Sequence, residues 1–145
     1  MRTKDFLSQL DHDRIVSTIR AAEANTSGQI RVYIQRGELD GEALVEARAK
    51  FKRLGMEQTN ERNGILIFVA PRARKFAVIG DNGIHARCGA EFWDHLVVSM
   101  REHFLNSNFT NGLIEAIEEA GRVLARHFPK KTSLKNELPD EIVEG

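Results

Sequence analysis

Gly64-Ile65-Leu66-Ile67-Phe68-Val69-Ala70-Pro71-Arg72-Ala73-Arg74-Lys75-Phe76-Ala77-Val78-Ile79-Gly80 is the stretch that decides the fold. The unbroken apolar run Ile65 to Ala70, bounded by Gly64 and Pro71, offers no polar face to water, so it reads as a central strand covered on both sides. A tight polar turn through Arg72 and Arg74 leads into a second apolar run, Phe76 to Ile79. Two runs so close together predict an antiparallel hairpin. Upstream, Ile30, Val32 and Ile34 alternate with Arg31, Tyr33 and Gln35. Period two predicts a strand buried mainly on one side, with Arg31-Tyr33-Gln35 facing water or another subunit.

Helical spacing fills the intervals. Ile15, Ile19 and Ala22 predict a helix over His12 to Asn25 with Asp11 as its N-cap. Leu44, Ala47, Phe51 and Leu54 mark a second helix between Asp40 and Leu54, stopped by Gly55. Phe92, Leu96, Met100 and Phe104 define a third, and Leu113, Ile117, Ala120, Leu124 and Phe128 a fourth. The order α-β-α-β-β-α-α wants a parallel strand–helix–strand unit extended by the antiparallel hairpin. Helices before, between and after the strands cover both faces, giving an α/β fold, a three-layer α/β/α sandwich around a small mixed sheet. One domain is expected over residues 1–128. From Pro129 the apolar pattern fails, and 129–145 is expected to be a loosely ordered tail.

Composition narrows the function classes. The chain has 145 residues, 41% hydrophobic and 29% charged, enough for one buried core. Lys plus Arg and Asp plus Glu balance at 21 each, so net charge gives no reason to expect nucleic acid or an anionic membrane as main partner. Cys88 is the single cysteine, which excludes an internal disulfide and a multi-cysteine metal site. Nothing approaches the ~20 apolar residues of a membrane span or a signal-peptide core, so a soluble cytoplasmic protein is expected.

Several runs, taken in order, resemble the TPM-domain family, the module of thylakoid-lumen phosphatase, photosystem II repair and receptor-accessory proteins. They are Ala21 to Val32, Asn63 to Ala70, Arg74 to His85 and Phe109 to Leu113, and the resemblance spans about residues 10 to 128. It implies the same mixed-sheet sandwich. It also implies divalent-cation binding (Ca or Mg) and a weak acid-phosphatase activity. Many members carry Asp-Asn-Gly where this chain has Arg62-Asn63-Gly64, and Gly-Leu-Glu followed by an Asp where it has Gly83-Ile84-His85 and then Gly89-Ala90. Arg62, His85 and Ala90 thus stand at acidic positions, whereas hard cations want several carboxylate oxygens.

The topology gathers Glu23, Thr26, Gly28, Arg62, Asn63, Asp81, Asn82 and His85 at one rim. As a catalytic set, His85 would be general acid and Arg62 would hold phosphoryl oxygens, with Asp81 and Glu23 supplying carboxylates. Thr26, Gly28, Asn63 and Asn82 would then contact substrate, and Asp81 with Asn82 would supply a residual Ca or Mg site, with no tightly bound cofactor expected. Equally, Asn, Asp, Gly and Thr crowd turns for backbone reasons, and Arg62 would simply pair with Asp81. The opposite rim is basic, with Arg36, Arg72, Arg74 and Lys75. It suits a phosphate, an acidic partner segment or a lipid headgroup, or serves as a solvated hairpin tip that protects a sheet edge. Cys88 lacks an Arg six residues on, so no cysteine-phosphatase loop is present. Gly80-Asp81-Asn82-Gly83 lacks the spacing and Lys of a P-loop. The reading that results is an accessory or interaction domain with a protein partner and little catalysis. Phosphate-ester hydrolysis is the first alternative and cation binding the second.

Overall fold

The computed structural model describes residues 1–130 and 142–144. Ten elements follow in order: α1 (Thr3–Ser8), α2 (His12–Glu23), β1 (Gln29–Ile34), α3 (Ala43–Arg53), β2 (Gly64–Ala70), β3 (Lys75–Gly80), α4 (Asn82–Cys88), α5 (Ala90–Leu105), α6 (Phe109–His127) and β4 (Ile142–Glu144). The sheet order is β3-β2-β1-β4. β1 and β2 run parallel, with Gln29 beside Gly64 and Ile34 beside Val69. β3 returns antiparallel, with Gly80 beside Ile65. The strand–helix–strand unit and the hairpin are therefore as the apolar runs predict.

Two cores flank the sheet. On one face Ile30, Val32, Ile34, Ile65, Ile67 and Val69 pack against Ile15 and Ile19 of α2, Leu96 and Met100 of α5, and Leu113, Ile117 and Leu124 of α6. On the other, Tyr33, Leu66, Phe68, Ala77 and Ile79 pack against Ala43, Ala47 and Phe51 of α3. The architecture is the expected α/β/α sandwich. Asp11 caps α2 by accepting the Arg14 N–H at 3.2 Å. Gly55 ends α3 at φ +71°, the left-handed conformation that glycine adopts most cheaply. Among the described residues no helix is long and apolar enough to cross a membrane.

Three features depart from the sequence reading. β1 is buried throughout, and its supposedly open face is closed: Arg31 and Tyr33 are each only 6% exposed. α3 covers Tyr33. The Tyr33 ring stacks on Phe68 at 5.7 Å and 7° between planes, and the Lys50 ammonium sits 5.6 Å from its centroid. Two short helices, α1 and α4, were not expected, because each buries too few residues to leave a periodic stripe. Finally, Ile142–Glu144 adds a fourth strand parallel to β1, with Val32 beside Ile142. Of the loose tail expected over 129–145, residues 131–141 and 145 lie outside the described residues.

Candidate functional site

The register alone brings three connections to one rim. The starts of β1 and β2 lie side by side, and the end of β3 adjoins the start of β2. The Gln29 N–H donates to the Asn63 carbonyl at 3.4 Å and the Asp81 N–H to the Gly64 carbonyl at 3.0 Å. Residues 24–28, 59–63 and 81–85 therefore meet.

At the centre is an ion pair with both forks engaged. Arg62 Nε lies 2.9 Å from Asp81 Oδ2, and Nη2 lies 3.1 Å from Oδ1. Asp81 is 5% exposed, and its Oδ1 also accepts the Asn82 N–H at 2.7 Å, capping α4. Arg62 itself has left-handed backbone (φ +52°), which aims its side chain back across the rim. Its pKa is raised, first by the hydrogen bond to Asp81 and then by that carboxylate's charge, against the opposing effect of desolvation. Glu57 adds a weaker contact at 4.0 Å. Three hydrogen bonds, two of them from one guanidinium, thus hold the Asp81 carboxylate.

The other predicted residues divide between inward structural roles and open water. Glu23 is 2% exposed and its Oε2 accepts the Ile30 N–H at 2.8 Å, tying the end of α2 to β1. Thr26 is fully buried; its hydroxyl donates to the Phe128 carbonyl and accepts the Gly28 N–H at 3.0 Å. Gly28 lies beneath Leu124, whose Cδ2 stands 2.7 Å from where a Cβ would be. Asn63 is 1% exposed; its N–H donates to Thr59 Oγ1 at 3.1 Å and its Nδ2 to Ser27 Oγ at 3.0 Å. Asn82 and His85 are exposed on α4, and the His85 ring meets Trp93 at 5.3 Å between centroids. The structure thus joins Arg62 to Asp81 through their side chains and His85 to Asp81 through the main chain at 3.3 Å, while Glu23 and Thr26 bond main-chain groups.

Sequence reading missed Thr59, Ser27 and Glu61, although they knit the rim together. The Ser27 hydroxyl donates to Glu61 Oε1 at 3.0 Å and accepts from Asn63. Their only sequence signal is that they flank glycine-bearing turns, which many surface residues do. Elsewhere, burial pushes the Cys88 thiol pKa up against the opposing charge of Arg87, so the thiol stays protonated and a poor nucleophile. Ser99 donates to Glu115 Oε2 at 3.3 Å, and His103 bonds the same carboxylate rather than the serine.

A divalent cation does not fit these residues. Among the described residues no three His, Cys, Asp or Glu side chains converge. The one carboxylate at the centre already has a guanidinium on both oxygens, and a cation would have to displace a bound positive charge.

Comparison with known proteins gives a consistent result. A family model described as TPM domain matches residues 1–123. The NMR structure of BA42 protein from the psychrophilic bacterium Bizionia argentinensis sp. nov. is similar at a TM-score of 0.85 and 38% identity, with 92% of each chain covered. A comparison with curated proteins found no match.

Proposed function

The chain belongs to the TPM domain family, and from that premise we propose that it is an accessory or interaction domain with little catalysis of its own. The observation that supports this is the closed Arg62–Asp81 pair. At this rim the group that would have to attack phosphorus or activate water is the Asp81 carboxylate, and it would have to be free to do so. Here the Asp81 carboxylate is buried and held on both oxygens by the guanidinium, while Glu23 and Thr26 point into the protein. His85 is open enough to donate a proton, but Cys88, three residues on along α4, has its thiol pKa raised by burial and is a poor nucleophile. In place of the cation that the family resemblance implies, Arg62 supplies a covalently tethered positive charge.

The competing reading is phosphate-ester hydrolysis at this rim, and one set of assays separates the two. With p-nitrophenyl phosphate across acidic pH, the wild type is expected to show no saturable turnover above His85→Ala or Asp81→Ala. Calorimetry with calcium or magnesium is expected to give no saturable heat. Saturable turnover that both variants abolish while remaining folded would establish the enzyme instead. His85 is exposed, so its variant keeps the assay decisive if Asp81→Ala proves unstable.

A further inference from the structure

At the opposite end of the sheet, between the β2–β3 hairpin, α1 and the ends of α5 and α6, lies a groove of about 600 Å³. We propose that this groove binds a single-chain amphiphile with an anionic head, of which a fatty-acid carboxylate is the simplest form. The inference goes beyond the accessory reading and uses none of the rim residues.

Volume comes first: small-molecule sites commonly enclose about 300–1,000 Å³ of mostly apolar space. The floor here is aromatic. Phe104 contacts Phe6 at 6.2 Å, Phe76 at 5.3 Å and Phe109 at 5.6 Å between ring centroids, and these rings line the groove. Leu105 extends the floor to the lip and is 79% exposed, a large apolar side chain contiguous with the cleft. An acyl chain laid on this surface would bury what now faces water.

Charge supplies the second requirement. Arg74 and Lys75 on the hairpin and Arg101 on α5 line the same groove. Arg2, Arg62, Arg72 and Arg122 each meet a carboxylate. Among the described residues, the three groove cations form no ion pair. Arg74 moreover lines the groove while holding left-handed backbone at φ +54°, a conformation more cheaply taken by glycine. Inorganic phosphate alone would leave the aromatic floor unused, and a neutral lipid would leave three cations unmatched. An anionic head with a single apolar tail matches both parts.

The test is an amide-resolved NMR titration with dodecanoate below its critical micelle concentration. Saturable shifts are expected at Phe76, Arg101, Phe104 and Phe109. Dodecanol should bind at least about tenfold more weakly, the loss expected for a charge-assisted contact. Arg74→Gly should weaken dodecanoate by a similar factor while keeping or raising the melting temperature, since it removes backbone strain. Absence of saturable shifts overturns the proposal, as does equal affinity for dodecanol. Binding confined to anionic phospholipid vesicles, with none to monomeric dodecanoate, also overturns it, because the surface would then be a membrane contact. None of these outcomes bears on turnover at the rim, so the two readings fail separately.

Discussion

Thr26→Val is expected to destabilise the protein by about 2–4 kcal/mol, a large effect for a near-isosteric change. The threonine is fully buried, and its hydroxyl serves two main-chain groups at once, donating to the Phe128 carbonyl and accepting the Gly28 N–H. Valine preserves the volume but leaves the Gly28 N–H with no acceptor in a site closed to water. An unsatisfied buried donor costs about 1–3 kcal/mol, and the lost bond to Phe128 adds about 1 more. Phe128 O keeps the Ser27 N–H at 3.0 Å, which limits the loss on that side. At about 2–4 °C per kcal/mol for a chain of this size, the melting temperature should fall by roughly 5–15 °C. Thr26→Ser, which retains the hydroxyl, should lose much less. A melting temperature for Thr26→Val within a degree of wild type would show that the hydroxyl is not structural, and would return Thr26 to the list of substrate contacts.

That experiment bears on how far the sequence could be read. The hairpin was legible because an apolar run bounded by Gly64 and Pro71 has one stable solution, a strand with a core on each face. The rim was legible in outline because parallel and antiparallel pairing fix which strand ends meet. Side-chain direction was not legible. Glu23 and Thr26 look like rim residues by position, yet each turns inward to satisfy a main-chain group that the turn leaves exposed. The same blindness affected β1, where Arg31 and Tyr33 carry polar letters at alternate positions but are both buried, Tyr33 in the core beneath α3. α4 escaped notice because Ile84 is its one fully buried side chain, too little for a periodic signal. The Arg62–Asp81 pair was foreseeable as chemistry, but its bidentate geometry depends on a left-handed residue in a turn whose shape no pattern announces.

Gly83→Ala should cost about 3 kcal/mol, toward the upper end of what overpacking exacts. A Cβ on Gly83 would stand 2.2 Å from the Glu61 carbonyl oxygen and 2.7 Å from that of Arg62. Both obstacles are main chain, so no side-chain rotation relieves them. Nor can the loop retreat alone: Asn63 is tied to Thr59 and Ser27, Arg62 to Asp81, and the Gly83 N–H itself donates to the Arg62 carbonyl at 2.9 Å. The clash must therefore pry α4 away from residues 59–63, or open the ion pair, or both. Gly41→Ala is the matched control. No atom lies within 4 Å of its Cβ position, and an exposed site of that kind should change stability by no more than about 0.5 kcal/mol. Guanidinium denaturation of the two variants, read as midpoints at constant slope, measures the difference. A large loss means that the rim is a rigid joint, in which Asp81 and Arg62 hold each other because the surrounding backbone leaves them no other arrangement. A loss below about 0.5 kcal/mol would mean that α4 and the loop separate cheaply. Asp81 would then be a carboxylate that opens to solvent, and the case for hydrolysis at this rim would regain the free acid that it lacks.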